Sequence, residues 1–358
     1  MPSIFATTLP FFALVLAGWL AARFKWLPIE AVPGLNAFVL YFALPAMLFR
    51  LGLALPLEDL LHPGVISVYT LTACVVIAFT LMLTLGEGLR MKDASFDAFA
   101  AVYPNNGFMG LPLIVALLGP QAAGPVMSTL MVDVFFTSTL CIALANADHE
   151  RDTQPSLDSH GLPHTRPEAT DPAAVPDNSA LARLQRALRT ALLNPLPWAI
   201  AIGAAARGLE ITLPAPLTKL VSMLADAASP VALFTIGTVL RRAQLAVQQD
   251  PREAAHREGR SWRRRLREGL GVGRLALFKL LLHPLLMLVL GLAARQLGAE
   301  LSALQLTALV LVAALPAASS VAMWSERYQA DTARVVHVIM VSTALAFVSF
   351  SLIAKLLN

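Results

Sequence analysis

The chain has 358 residues, of which 57% are hydrophobic and only 14% are charged, whereas soluble domains carry roughly 25% charged residues. This composition excludes an ordinary water-soluble core and predicts a polytopic helical membrane protein. The net charge of +4 would suit nucleic-acid binding in a soluble protein. Here the basic residues collect in polar connections, as the positive-inside rule requires, so nucleic acid is not an expected partner.

Ten apolar segments recur along the chain, each long enough to cross a bilayer as a helix of about 17–25 residues. The predicted spans, numbered one to ten in chain order, are 3–22, 32–52, 64–86, 95–118, 123–145, 191–209, 216–240, 274–297, 303–325 and 333–356. The expected fold class is therefore an all-α polytopic membrane protein with ten transmembrane helices. The first span lacks a preceding basic residue and is better interpreted as a transmembrane helix than as a removable signal peptide.

Two polar segments separate groups of spans. Residues 147–190 are Pro-rich and polar and then turn basic and amphipathic, which predicts a disordered cytoplasmic linker followed by a helix on the membrane surface. Residues 241–272 form a strongly basic loop that could contact anionic lipid. The predicted organisation is a first five-helix repeat over 1–146, the linker, and a second repeat over 191–358.

The basic residues also predict the orientation. If the N-terminus is outside, 21 of the 27 Lys and Arg residues fall in inner connections, five fall outside, and Lys279 lies within a span. Because Lys and Arg accumulate on the cytoplasmic side, both termini are expected outside and both polar segments inside. The Ala-, Leu- and Arg-rich composition and short central linker favour a bacterial inner membrane.

The two halves of the chain resemble each other. The stretch "PAMLFRLG" at 45–52 matches "PVALFTIG" at 230–237, 185 residues further on, and Pro104 in span four matches Pro316 in span nine. Because each repeat contains five spans, an odd number, the second must enter the membrane inverted relative to the first. Inverted repeats with broken helices in matching positions are typical of secondary transporters, which bind substrate near the membrane midplane.

Four stretches of the sequence resemble the auxin efflux carrier family, which includes bacterial permeases: "LNAFVLYFALPAMLF", "NPLPWAIAIG", "ASPVALFTIG" and "ALPAASSVAMWSERYQAD". The resemblance extends over all ten spans and implies two inverted five-helix repeats, related to bile-acid symporter and sodium/proton antiporter folds. It implies that spans four and nine cross as broken helices in a transport domain. Spans one, two, six and seven would form a scaffold at which a homodimer could assemble.

The predicted substrate site lies at the two breaks. Pro104 cannot donate to the helix ladder, Gly107 relaxes the backbone, and freed backbone groups inside a membrane must be buried in protein or line a wet cavity. The following half-helix would direct N–H groups and a positive dipole end at an anion. A polar kink that satisfies its own backbone is the alternative. The candidate substrate-binding residues are Pro104, Asn105, Asn106, Gly107, Pro316, Ser319, Ser320 and, from the scaffold, Asn36.

Ionisable residues inside spans cost roughly 2.5–3.5 kcal/mol on insertion scales, so each needs a partner or a function. Asp133 in span five is the leading candidate for coupling to H⁺ or Na⁺. The alternative is a helix-pairing carboxylate tied to Lys279. Asp226 is either a cavity residue or bonded to backbone freed by Pro230. Lys279 shares a helix face with His283 and could instead extend towards the interface. Asp97 is interpreted as a helix-end charge, and His337 as a packed histidine.

These features predict a secondary active transporter of a small organic anion, such as a carboxylate or an auxin-like acid, with membrane lipids as its other partners. A sodium-coupled bile-acid-type symporter and a membrane-embedded sensor are the alternatives. The sequence contains neither a phosphate-binding loop nor zinc-ligand spacing, and neither Asp133 nor Asp226 has the glycine-bearing context expected of a protease dyad. We therefore expect no enzymatic activity and no cofactor.

Overall fold

The computed structural model describes residues 4–55, 62–152, 195–249 and 262–357. Helices occupy each of the ten predicted segments within these ranges. In chain order they are α1 (Ile4–Arg23), α2 (Val32–Phe38), α3 (Leu44–Ala54), α4 (Pro63–Gly86), α5 (Met91–Val102), α6 (Leu111–Leu118), α7 (Ala123–Val132), α8 (Ser138–Asp152), α9 (Pro195–Gly208), α10 (Ala215–Gln249), α11 (Trp262–Leu277), α12 (His283–Gln296), α13 (Ala303–Ala313), α14 (Ser320–Arg327) and α15 (Thr332–Leu357).

Seven helical stretches in the described residues are long and apolar enough to cross a membrane. They are Ile4–Arg23, Ile29–Ala54, Pro63–Gly86, Pro120–Asn146, Ala215–Ala246, Gly269–Gln296 and Thr332–Leu357. The chain is therefore a helical, multi-pass membrane protein. The three remaining predicted spans hold shorter helices, so ten crossings stay a prediction.

The polar segments are partly helical where the structure describes them. Helix α8 continues to Asp152 and α10 to Gln249, and α11 begins at Trp262. These helices therefore continue past the ends of the predicted spans at residues 145 and 240. Most of the predicted linker, from residue 153, lies outside the described residues, as does the middle of the basic loop at 250–261.

In the part of the chain that the structure describes, four five-residue π-helical segments connect consecutive helices: Val39–Ala43, Asn106–Gly110, Asp133–Thr137 and Phe278–Leu282. A proline follows three of them within two residues, at Pro45, Pro112 and Pro284. Proline lacks an N–H donor, and its ring clashes with the carbonyl four residues earlier, which widens the preceding turn. Such π segments are frequent at functional sites, and three of these four reach the polar cluster described below.

Glycines allow two pairs of helices to cross at very short range. A Cβ atom on Gly18 of α1 would lie 2.0 Å from the Phe234 carbonyl oxygen of α10, and one on Gly237 would lie 2.0 Å from that of Val15. Helices α3 and α9 cross in the same way at Gly52. Because small residues permit close helix approach in membranes, these crossings build a body from α1, α2, α3, α9 and α10.

The other helices form a second body around the two breaks, and ion pairs join them. Arg334 of α15 contacts the carboxylate of Asp97 of α5 at 2.9 Å, and Arg274 of α11 pairs with Glu87, which follows α4. Asp97 is buried in the middle of its helix. The interpretation of Asp97 as a helix-end charge was therefore wrong, because it is a buried partner that ties α5 to α15.

Candidate functional site

The two breaks lie against each other and satisfy each other's backbone. The Asn105 N–H donates to the Pro316 carbonyl oxygen at 2.9 Å, and the Ala318 N–H donates to that of Tyr103 at 3.1 Å. Together they make a short antiparallel bridge centred on Pro104. Backbone N–H and C=O groups that a broken helix leaves unpaired need hydrogen-bond partners where water is scarce. Here the backbone of each break provides these partners for the other.

The Asn106 side chain faces helix α7 and the π segment after it. Its Nδ2 atom donates to the Thr129 hydroxyl oxygen at 2.7 Å and to Oδ2 of Asp133 at 3.3 Å. Only 2% of Asn106 is exposed, and its Oδ1 atom has no hydrogen-bond partner among the described residues. This amide is thus a buried acceptor located at the first break.

Asn105 contributes mainly through its backbone. Its carbonyl oxygen accepts hydrogen bonds from the N–H groups of Met109 at 3.1 Å and Gly110 at 2.9 Å, which begins the half-helix after the break. The residue is 3% exposed, and none of the described hydrogen bonds involves its side chain. Its amide is therefore available for a ligand, whereas that of Asn106 is already engaged on one side.

Asp133 is fully buried and accepts hydrogen bonds from two other helical elements. The Tyr69 hydroxyl donates to both carboxylate oxygens, at 3.0 and 2.9 Å, and Asn106 supplies the second donor. An ionised carboxylate offers about four lone-pair positions, so two donors leave acceptor capacity. Tyr69 was not identified from the sequence, although a tyrosine hydroxyl in an apolar span usually has a hydrogen-bond partner.

Lys279 and His283 form the opposite half of the cluster. The Lys279 ammonium donates to the Ala313 carbonyl oxygen at 3.0 Å and lies 3.0 Å from Nδ1 of His283. Both side chains are fully buried. The alternative in which Lys279 extends to the interface was therefore wrong. The His283 ring lies 6.4 Å from the Tyr69 ring, centroid to centroid, so Tyr69 connects the two halves.

The two buried charges match the dipoles of the broken helices. Asp133 lies beside the start of the half-helix that begins at Asn106, and Lys279 donates to the last residue of α13. Helix N-termini carry partial positive charge and C-termini partial negative charge, so each charge meets the complementary end. The two side chains interact electrostatically, but no ion pair joins them among the described residues. The direct tie between them that the sequence suggested is thus absent there.

The structure does not bring the remaining predicted residues into this cluster. Ser319 borders a shallow, mostly apolar pocket between α10, α14 and α15. Asn36 and Ser320 are half-buried, and none of the described hydrogen bonds involves their side chains. Asp226 pairs with Arg50 at 2.7 Å, with 71% and 42% of the respective side chains exposed. The predicted bond from Asp226 to backbone freed by a proline was therefore wrong.

The reason given for Gly107 also needs correction. The positive-φ glycines in the described residues are Gly88, Gly119 and Gly298, and a Cβ atom on Gly107 would meet only a methyl of Leu130 at 3.7 Å. The glycine that the break requires is Gly110. There a Cβ atom would lie 2.6 Å from a Leu315 methyl and 2.8 Å from Oδ1 of Asn106. The close approach of span nine, and not an unusual backbone conformation, explains why residue 110 is a glycine.

Comparison with known proteins agrees with these observations. Residues 3–354 match the family described as Membrane transport protein. A protein of Rhizobium meliloti (strain 1021) named "Putative malonate transporter" is 30% identical over 349 residues, which cover 97% of this chain and 93% of that protein. Auxin efflux carrier component 8 of Arabidopsis thaliana is 23% identical over 266 residues, which cover 65% of this chain and 71% of the carrier.

The family match covers nearly the whole chain, and the relative from Rhizobium meliloti aligns over almost its full length. Both relatives are named as carriers of small molecules, and members of the family are transporters, not enzymes. The helical, apolar architecture described above fits that role. The chain belongs to the auxin efflux carrier family of membrane transport proteins.

Proposed function

We propose that this protein is a secondary active transporter of a small organic anion, with a short dicarboxylate such as malonate as the leading candidate substrate. The observation that carries the proposal is the buried polar cluster at two adjacent helix breaks. The polar side chains that are buried there in an apolar chain include Tyr69, Asn106, Asp133, Lys279 and His283. Buried charges in membrane segments are costly and usually mark transport pathways.

The anion would bind at the breaks. The half-helix after the first break presents a positive dipole end, the Asn105 amide is uncommitted, and the Lys279 ammonium supplies a full positive charge nearby. Helix N-termini bind anions through backbone N–H groups, and discontinuous helices hold substrate carboxylates in this way in other transporters. The relative named as a malonate transporter supports a carboxylate substrate, and more specifically a dicarboxylate.

An inverted repeat would supply the alternating access. The glycine crossings support it: 185 residues separate Gly18 from Gly203, and 185 residues also separate Gly52 from Gly237. The Gly18 crossing joins the first and seventh spans, and the Gly52 crossing joins the second and sixth. In the proposed repeats span one corresponds to span six and span two to span seven, so the crossing of spans one and seven corresponds to the crossing of spans six and two. We propose ten spans in two inverted repeats, with the breaks as crossover helices in a moving domain.

Asp133 is the proposed coupling residue, and H⁺ and Na⁺ are the candidate ions. Its carboxylate has spare acceptor capacity and lies beside both the first break and Lys279. Binding of a cation or proton at Asp133 would release Lys279 to interact with the substrate. The proposed location is a bacterial inner membrane with both termini outside, because the basic residues accumulate in the connections that would then be cytoplasmic.

The proposal is tested by uptake into proteoliposomes of the full chain. Labelled malonate, propionate and indole-3-acetate are each supplied with an imposed proton gradient, an imposed sodium gradient or neither. Saturable malonate uptake that one gradient accelerates would support the proposal and identify the ion. Malonate uptake no faster than in protein-free liposomes, with the protein verified as folded and correctly inserted, would contradict it.

A further inference from the structure

We propose that His283, held in place by Lys279, forms a binding subsite for one carboxylate group of a dicarboxylate, separate from the anion site at the first break. The inference rests on the proposed function, because it assigns a place to the second carboxylate of its substrate. It depends on which nitrogen atoms of Lys279 and His283 carry protons, and on the Nε2 atom of His283, which has no hydrogen-bond partner among the described residues.

The contact with a charged Lys279 sets the tautomer of His283. An ammonium group has three donors and no acceptor, so at 3.0 Å from Nζ the Nδ1 atom of His283 must be the acceptor. A neutral imidazole with an accepting Nδ1 carries its proton on Nε2. The Nε2–H group of His283 is therefore a donor. It is buried and has no acceptor among the described residues.

A buried donor without an acceptor is costly, at about 1–3 kcal/mol, and such a group calls for a specific explanation. The surroundings favour an anionic acceptor. The Lys279 ammonium lies on the other side of the same ring, and one of its N–H groups remains after the bonds to His283 and Ala313. A carboxylate would accept from the Nε2–H group of His283, while Lys279, on the Nδ1 side of the ring, holds the imidazole and contributes a positive charge nearby.

The position of this pair distinguishes dicarboxylates from monocarboxylates. Asn105 and the half-helix N-terminus lie at the first break, whereas Lys279 binds the last carbonyl of the helix that precedes the second break. Tyr69 lies between the two groups, with its hydroxyl on Asp133 and its ring beside His283. A dicarboxylate could therefore use both ends of the cluster. A monocarboxylate would leave the Nε2–H donor without an acceptor.

Two substitutions of His283 separate its two nitrogen atoms. His283→Asn places an amide oxygen where Nδ1 accepts from Lys279 but removes the outer donor. His283→Gln extends an amide N–H to about the position of Nε2. We measure the KM for malonate and for propionate, which share three carbons and differ in the second carboxylate. In His283→Asn the ratio of the malonate KM to the propionate KM should rise about tenfold, the effect of one hydrogen bond to a charged group.

His283→Gln should keep that ratio within about threefold of the wild-type value. Equal ratios in the wild type and His283→Asn would overturn the subsite, even if malonate transport itself is robust. In that case the Nε2–H group serves structure or binds only water. If wild-type protein transports neither acid, both the subsite and the proposed function are wrong. Equal KM ratios in a protein that does transport malonate would contradict the subsite alone.

A measurement on the unaltered chain guards against misfolding of the variants. In wild-type protein labelled with ¹⁵N at histidine, malonate should shift one Nε2 resonance that is absent from the His283→Gln spectrum. Propionate at the same occupancy should leave that resonance in place. If no histidine Nε2 resonance moves at saturating malonate, the proposal is wrong.

Discussion

The Lys279 ammonium donates a hydrogen bond to the carbonyl oxygen of Ala313, 3.0 Å away, at the last residue of the helix before the second break. A fully buried lysine thus neutralises the negative end of a broken helix, while Asp133 lies at the positive end of the other. The two charges compensate each other inside an apolar chain, which makes their removal interdependent.

We therefore expect the stabilities of Lys279 and Asp133 variants to be coupled. Lys279→Met alone leaves a buried carboxylate without its compensating charge, which should lower the stability of the protein. Asp133→Asn alone leaves the ammonium uncompensated. The double variant should have a higher thermal midpoint than Lys279→Met in detergent. Additive losses in a double-mutant cycle would indicate that the two charges do not interact.

Asp133→Asn should also uncouple transport from its driving ion. Asparagine preserves the shape of the side chain but can neither take up a proton nor compensate a cation. Malonate uptake by this variant should no longer respond to an imposed proton or sodium gradient, while exchange of internal for external malonate continues. The comparison is made in the same proteoliposome preparation. A variant whose uptake still follows the gradient would assign coupling to another residue.

Gly110→Ala and Gly107→Ala form a matched pair of substitutions in one π segment. The alanine methyl at position 110 would meet Leu315 at 2.6 Å and Oδ1 of Asn106 at 2.8 Å, whereas at position 107 it would lie 3.7 Å from Leu130. Even if the Leu315 side chain moves aside, the Asn106 amide must shift. Gly110→Ala should therefore lower the malonate transport rate about tenfold or more. Gly107→Ala should transport within about twofold of wild type, as checked by initial rates normalised to protein content.

A disulfide between Thr8 and Ser351 should arrest alternating access. These residues share a buried hydrogen bond of 3.0 Å between α1 and α15, one helix in each of the two bodies. In a chain whose Cys74 and Cys141 are replaced, Thr8→Cys with Ser351→Cys should lose transport on oxidation and regain it on reduction. The control pair is Ser325→Cys with Thr332→Cys.

Ser325 and Thr332 lie 3.2 Å apart within the second body, so their cross-link should not impede movement between the bodies. Transport should therefore persist after oxidation of this control pair. If the Thr8–Ser351 cross-link forms quantitatively and transport continues, then α1 and α15 do not separate during the cycle. The proposed movement of the second body against the first would then be wrong.

The parts of the site that the sequence predicted are those with a local signal. Pro104 and Pro316 interrupt apolar segments, and Asp133 and Lys279 are charges inside them, so each is conspicuous without any knowledge of packing. All four lie at or beside the two adjacent breaks. Their mutual placement is a property of the tertiary fold that the repeat only suggested.

The residues that sequence analysis missed or misplaced are those whose contacts depend on which face of a helix packs against its neighbours. Thr129 and Tyr69 resemble ordinary polar members of apolar spans, yet both contact the cluster. Asp226 is as conspicuous as Asp133 but pairs with Arg50 on an exposed surface. The sequence holds no signal that distinguishes these two aspartates, because packing of α10 against α3 decides the partner.

The central claim is that the cluster at the two breaks is the site of anion transport, and exchange of malonate by Asn106→Leu tests it most directly. Leucine has the same number and branching of side-chain heavy atoms as asparagine but removes the amide that contacts Thr129 and Asp133 at the first break. Proteoliposomes loaded with unlabelled malonate are diluted into labelled malonate, so that no ion gradient is needed. Wild-type protein should exchange rapidly, and folded Asn106→Leu should exchange at least tenfold more slowly. Exchange by Asn106→Leu at the wild-type rate would contradict the account.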